Sequence, residues 1–298
     1  MPLHEQLLQY LFTGLTTGAI YALLAVGFVA IYNVTDVLNF AQGESTMLGA
    51  LLMITLHAEV GVPIIPAFLL TVICVAIAGG ILYRLTLWPA RDAPHINTLI
   101  ITVGASIVIK GLALIFWGTD PYRMEPFTVG EPIRLSNAIV SLQSLWVLGA
   151  SLISVTGLYV FFQYTNMGKA LRACAVNRLA AQLMGISQFQ MSILAFALGS
   201  GLGAVAGVVI APITLATYGM GGMLGLKAVV AALMGGLTSA PRAMAAGLLL
   251  GVLETMGVGF ISSGAKDAIA FAILVLILFL RPSGLSRARL GAAGHGSL

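Results

Sequence analysis

Four ionisable side chains lie inside runs of apolar sequence: Glu44, Lys110, Lys227 and Glu254. A charge within a membrane span is costly, so such a residue usually faces a pathway, a partner or the interface. Glu254 stands about eleven residues into its run, roughly 16 Å at 1.5 Å per residue, which places it near the midplane. It reads either as a structural hydrogen-bonding group or as a pathway group. Lys110 is also deep. Lys227, near a segment end, reads as a snorkelling or helix-capping side chain. The stretch Tyr32-Asn-Val-Thr-Asp-Val-Leu-Asn-Phe-Ala-Gln-Gly-Glu44 interrupts two apolar runs with Asn33, Asp36, Asn39, Gln42 and Glu44. Polar backbone at membrane depth is tolerated where it lines a cavity or is buried in protein. Gln42 and Glu44 enter the second apolar run, so Asn39, Gln42, Glu44 and Glu254 are the candidates for a translocation path. The alternative for Asn39 to Glu44 is a plain cytoplasmic turn that caps two helices.

Covalent chemistry has little to work with. The chain has no Gly-x-x-x-x-Gly-Lys-Ser/Thr loop to cradle a nucleotide's phosphates. His4-Glu5 is not followed by a His at position 8, so no zinc-protease helix is expected. His57, His95 and His295 fall at span edges or in the tail and read as solvated or interfacial. No Ser or Cys has a nearby His in a pattern that would activate it. Cys74 and Cys174 are far apart and read as two unpaired thiols, with no metal spacing. Neither cofactor nor metal is expected.

The elements that must position these residues are membrane helices. The chain is 59% hydrophobic and 8% charged, with a mean hydropathy of +1.03. A soluble domain carries about 25% charged residues. The expectation is an all-α, multi-pass bundle of about eight or nine membrane segments in one membrane-embedded unit, 1–298. The candidate spans are Leu7–Tyr32, Gly43–Leu56, Val62–Tyr83, Ile96–Trp117, Leu142–Tyr164, Phe189–Ala211, Leu224–Leu237, Met244–Phe260 and Ala268–Leu280. A full crossing needs about 20 residues, so the shorter ones are half-helices, re-entrant segments or longer than drawn. Gly14-x-x-x-Gly18, Gly199-x-x-x-Gly203-x-x-x-Gly207 and Gly247-x-x-x-Gly251 each put small residues on one helix face, where backbones can approach.

A pI near 9.2 raises the question of nucleic acid, but the basic residues flank apolar runs. Nine of the 14 fall on one side if the spans alternate: Arg84, Arg91, Lys169, Arg172, Arg178, Arg242, Arg281, Arg287 and Arg289. Arg123, Arg134 and Lys266 fall on the other. Cytoplasmic positive charge explains this asymmetry without a nucleic-acid partner. The outer loop Gly118–Ser141 is shaped by Pro and Gly and carries Asp120, Glu125 and Glu131.

One polar, basic island stands out, from Asn166 to Ile186, between two apolar runs. Leu171, Ala175, Leu179 and Leu183 fall at four-residue steps along one side, with Lys169, Arg172 and Arg178 elsewhere. An interfacial helix resting on anionic lipid is one reading. The small alanines and the bracketing Gly168 and Gly185 favour a short helix docked in a protein groove.

At these residues the chain resembles the membrane permease subunits of ABC importers for branched-chain amino acids, LivH-type. The stretches are Gly14-Leu-Thr-Thr-Gly-Ala-Ile-Tyr-Ala-Leu24, Asn39-Phe-Ala-Gln-Gly-Glu44, Gly168 to Ile186, Gly225-Leu-Lys-Ala-Val-Val-Ala-Ala-Leu-Met-Gly-Gly236, Gly251-Val-Leu-Glu254 and Arg281-Pro-Ser-Gly-Leu285. The resemblance implies a second, related permease, two ATPase subunits that bind the ATP, and a periplasmic or extracytoplasmic substrate-binding protein, in the bacterial cytoplasmic (inner) membrane. It implies that 165–187 is the cytoplasmic coupling segment, with Gly168, Lys169, Arg172, Ala173, Asn177 and Gly185 at the ATPase contact. Gln42 stands where many relatives have His, which removes a proton-linked role there and leaves a hydrogen-bonding one. Relatives of the same type serve urea, short amides and aromatic acids. A different class, an ion-coupled secondary transporter using Glu44, Lys110 and Glu254, is the competing reading.

Overall fold

A helix that is apolar all round must be enclosed by protein or lie in lipid. Both solutions occur in the computed structural model, which describes residues 3–91, 93–135, 138–260 and 264–280. The elements are α1 (Leu3–Thr35), α2 (Gln42–Ile54), α3 (Ile64–Leu82), α4 (His95–Trp117), β1 (Ile133–Leu135), β2 (Ala138–Val140), α5 (Leu142–Tyr164), α6 (Asn166–Val176), α7 (Arg178–Leu183), α8 (Gln188–Ile210), α9 (Met220–Gly235), α10 (Ala240–Phe260) and α11 (Ala265–Leu280). β1 and β2 form a small antiparallel hairpin in the loop before α5. Each of the nine expected spans is a helix. Arg281, Arg287, Arg289, His295 and the Arg281–Leu285 stretch lie outside the described residues.

Six of these segments are long and apolar enough to cross a membrane: Gln6–Thr35, Ile64–Leu87, Ile96–Trp117, Leu142–Tyr164, Gln188–Ile210 and Ala240–Phe260. The short α2 continues through a π turn, Thr55–Glu59, into a longer rod. α9 stays short at 16 residues and ends at Gly236, whose φ of +87° suits a residue without Cβ. The most apolar window of α1 is 89% buried and that of α8 78%, whereas those of α4 and α5 are 17% buried each. α1 and α8 therefore form the centre, and α4 and α5 the lipid- or partner-facing exterior.

Glycine sets how close the central helices come. A Cβ on Gly14 would sit 2.7 Å from Val252 Cα, one on Gly18 2.8 Å from Leu248 Cα, and one on Gly247 2.5 Å from Ala22 N. The α1–α10 seam is thus backbone against backbone, as the two glycine spacings imply. Of the three spaced α8 glycines, two serve α2: a Cβ on Gly203 would meet Ser45 Cβ at 2.7 Å, and one on Gly207 would meet the Ala50 amide nitrogen at 2.9 Å, whereas one on Gly199 would meet Ile31 of α1 at 2.6 Å.

The connections sort into two ends. At one, Arg178 pairs with Asp36 at 3.0 Å, Asn33 Nδ2 donates to Thr238 O, and Gln188 Nε2 donates to Val34 O. At the other, Tyr122 and Ala216 exchange backbone hydrogen bonds, and Gln9 bonds both the N–H and the C=O of Ile139. The island and the Asn33–Asn39 turn share the first end; the loops after α4 and α8 share the second. That is the alternation expected from the basic residues.

Candidate functional site

The broken segment after α1 starts with Asp36 in the left-handed region at φ +53°, which a short polar side chain tolerates. The chain then enters α2, and its polar side chains are buried rather than solvated. Asn39 Oδ1 accepts from Ala41 N at 3.1 Å. Gln42 Nε2 donates to Gly199 O at 2.7 Å, across to α8. Glu44 Oε1 accepts from Ser106 Oγ at 2.9 Å and faces Lys110 Nζ at 3.5 Å, both on α4. Glu44, in the first turn of α2, also benefits from the positive end of that helix. Gly221 and Gly225 of α9 leave room for this segment: a Cβ on Gly221 would lie 2.6 Å from Glu44 Oε2.

The cluster carries more bonding capacity than it uses. Asn39 Nδ2, Gln42 Oε1, Glu44 Oε2 and Thr46 Oγ1 are buried without a partner among the described residues. A buried polar atom left unpaired costs about 1–3 kcal/mol. Four within the eight residues from Asn39 to Thr46 make this the densest cluster of unpaired buried polar atoms among the described residues, and each such group calls for a role beyond packing. A plain capping turn would have solvated these groups, so the burial is against that alternative.

Glu254 belongs to a second cluster. It is fully buried on α10 and bonded to Lys227 of α9, which also reaches Asp267 Oδ1 of α11 at 2.7 Å. The snorkelling or capping expected of Lys227 is corrected here: it is 4% exposed, because α9 is walled by α1, α10 and α11 and a carboxylate meets it on two of them. The Tyr21 ring lies 5.8 Å from its Nζ. Asp267 was missed by the sequence reading; it sits before an apolar run, forty residues from Lys227, with no spacing to announce the contact.

The island is helical but not one helix. Thr165 caps α6 by accepting from Gly168 N at 3.0 Å, and Asn177 caps α7 by accepting from Ala180 N at 3.0 Å. A Cβ on Gly168 would fall 2.5 Å from Phe162 Cα, so glycine permits the sharp α5–α6 corner. Extended backbone at Asn177, φ −153°, separates α6 from α7. The expected single apolar side is therefore corrected. Leu171 turns inward with Cys174 and Ala181 against Val34, Met191 and Ala195, while Ala175, Leu179 and Leu183 turn outward. Val176, Leu179, Leu183 and Met184 are all exposed, beside exposed Lys169 and Arg172. Arg172 Nη1 donates to Gln163 Oε1 at 2.8 Å, Ala173 is half-buried, and Gly185 closes α7 at φ +83°. Burial pushes the Cys174 thiol up from its ordinary range, with Arg178 pulling weakly the other way. Less thiolate at neutral pH and no access should leave Cys174 unlabelled by maleimide in the folded Cys74→Ser protein, with labelling appearing only on denaturation; intact-mass analysis of that variant reads this directly.

Residues 10–278 match the family model described as branched-chain amino acid transport system / permease component. The chain is 31% identical over 297 residues to the high-affinity branched-chain amino acid transport system permease protein LivH of Escherichia coli, covering 93% of this chain and 94% of that protein. It is 32% identical over 299 residues to the corresponding protein BraD of Pseudomonas aeruginosa, covering 96% and 97%. A probable LivH of Methanocaldococcus jannaschii is 27% identical over 284 residues, covering 89% and 87%. With this coverage, and with the helical bundle already described, the chain belongs to the branched-chain amino acid transport system permease family.

Proposed function

We propose that this chain is the transmembrane permease subunit of an ATP-driven importer for branched-chain or related small hydrophobic amino acids in a bacterial cytoplasmic membrane. The chain acts as one membrane-embedded unit beside a second, related permease. Two ATPase subunits bind its island end and a substrate-binding protein its opposite end. The observation that carries this reading is the outward face of α6 and α7. Four exposed apolar side chains with Lys169 and Arg172 form a helical knob at the basic end of the bundle. Gly168, Ala173, Asn177 and Gly185 shape that knob, and Lys169 and Arg172 supply its charge toward the ATPases.

Movement of the knob has a route inward. Arg178 of α7 holds Asp36, in the turn that leads directly into Asn39, Gln42 and Glu44. We assign these three to the translocation path, and Glu254 to the ion cluster that fixes α9 at its edge. A partly exposed pair such as Arg178–Asp36 contributes on the order of 1 kcal/mol to stability, so it can break and reform during a cycle.

Arg172→Glu is expected to abolish ATP-driven uptake while the protein still accumulates in the membrane at normal level. Normal uptake in that variant would remove the docking role. The test of the whole reading is leucine uptake into proteoliposomes that hold this chain, its partner permease, the ATPases and the binding protein. Uptake that needs ATP and all components is the expected result. Gradient-driven uptake by this chain alone would replace it with an ion-coupled transporter.

A further inference from the structure

The ion pair between Glu44 and Lys110 is only half made. Its Nζ–Oε1 separation of 3.5 Å is a charge contact rather than a good hydrogen bond. Glu44 Oε1 serves both Ser106 and Lys110, while Oε2 has no partner among the described residues. Lys110 is one-third exposed, so its ammonium retains donors that Glu44 does not take.

Its position is unusual too. Lys110 lies seven residues before the end of α4, about 10 Å along the helix, so it is well inside the span. It bends over α9 rather than toward the helix end: a Cβ on Gly222 would come 2.7 Å from Nζ. Gly219, which precedes α9, offers no side chain to cap the first-turn N–H groups beside this lysine. A cation next to the positive end of a helix is poorly placed unless an anion joins them. Leu226 lies one turn beyond Gly222 on the same side of α9, and Ile107 one turn before Lys110 on α4; both are exposed apolar side chains.

We propose that Lys110 and Glu44 recognise the zwitterionic head of the transported substrate. The α-carboxylate takes Lys110 Nζ, the α-ammonium takes the Glu44 carboxylate, and the aliphatic side chain lies against Leu226 and Ile107. This rests on the amino-acid permease reading above and narrows its substrate class. A zwitterion inserted into an ion pair replaces each charge's partner with another of the same sign, so no buried charge is left alone. A neutral amide or urea offers neither charge. An aromatic acid takes the lysine and strands the buried Glu44 carboxylate without a counter-charge. The site therefore favours a zwitterionic amino acid over all three.

The test uses the complete reconstituted importer with leucine-loaded binding protein, comparing wild type, Lys110→Gln and Lys110→Arg. Lys110→Gln should lower leucine moved per ATP at least tenfold while loaded binding protein still stimulates hydrolysis to within twofold of wild type. Lys110→Arg should retain a measurable part of the transport. In a Cys74→Ser background, Lys110→Cys should recover uptake after aminoethyl methanethiosulfonate, which restores an ammonium, and not after the neutral methyl reagent. Unchanged uptake in Lys110→Gln, equal rescue by both reagents, or a parallel loss of uptake and hydrolysis would each overturn the proposal; the last two are what a purely structural lysine gives. A wild-type importer that moves urea, amides or aromatic acids but no amino acid would instead overturn the reading on which it rests.

Discussion

Gly251→Val is expected to leave little folded protein. The added Cβ falls on the Gly18 backbone, and no rotamer relieves a clash with main-chain atoms. Overpacking in a core costs about 1–3 kcal/mol when side chains can shift. Here the whole of α10 must move away from α1, breaking the Gly14, Gly18 and Gly247 contacts together, so the loss exceeds that range. Monodisperse yield after detergent extraction and the thermal midpoint both report it. Gly149→Ala on α5 is the control, because a Cβ there meets nothing within 4 Å. It should match or slightly exceed wild type, since Ala is favoured over Gly in a helix by roughly 1 kcal/mol. A Gly251→Val protein as stable as Gly149→Ala would mean the seam is looser than described.

Lys227→Met carries the second large penalty. It strips Glu254 of its partner at a position with no exposed surface, and it frees Asp267 from α9. Breaking one side of a buried ion pair costs about 3–5 kcal/mol, because the remaining charge stays out of water. Replacing both members with apolar residues is often near neutral. Lys227→Met with Glu254→Met should therefore recover much of the stability lost in Lys227→Met alone. A double variant less stable than either single one would show that the pair is not the source of the penalty. Thermal unfolding of the four proteins in one detergent closes the cycle.

Much of this architecture is legible in the sequence. Apolar run length located a helix at each of the nine expected runs, six of them long and apolar enough to cross a membrane among the described residues, because in lipid a backbone has few options but to satisfy itself internally. The glycine spacings marked faces on α1 and α10 that allow close approach, but that these two faces meet each other is visible only in the structure. The polar stretch from Asn39 to Glu44 was legible because its residue types are out of place among apolar neighbours. What was not legible depends on who stands opposite. Lys227 reads as a snorkelling residue when only its distance from a segment end is known; its burial follows from helices that arrive later in the chain. The break at Asn177 is a cap competing with helix continuation, and four-residue spacing runs across it unseen. Ser106 and Asp267 each complete a cluster through contacts across helices, which no periodicity within one helix reveals.

The glycine seam also bears on how the chain is made. α1 leaves the ribosome before the other described helices, yet its close partner α10 lies some 230 residues downstream. At about 5–20 residues per second, roughly 10–50 s of synthesis separate Gly18 from Gly251. During that interval the innermost helix of the finished protein has only lipid, or a helper in the membrane, against its grooved face. Enclosure of the centre is thus a late event in biogenesis, and a polypeptide that stops short of Ala240 can insert its early spans without ever acquiring a closed core.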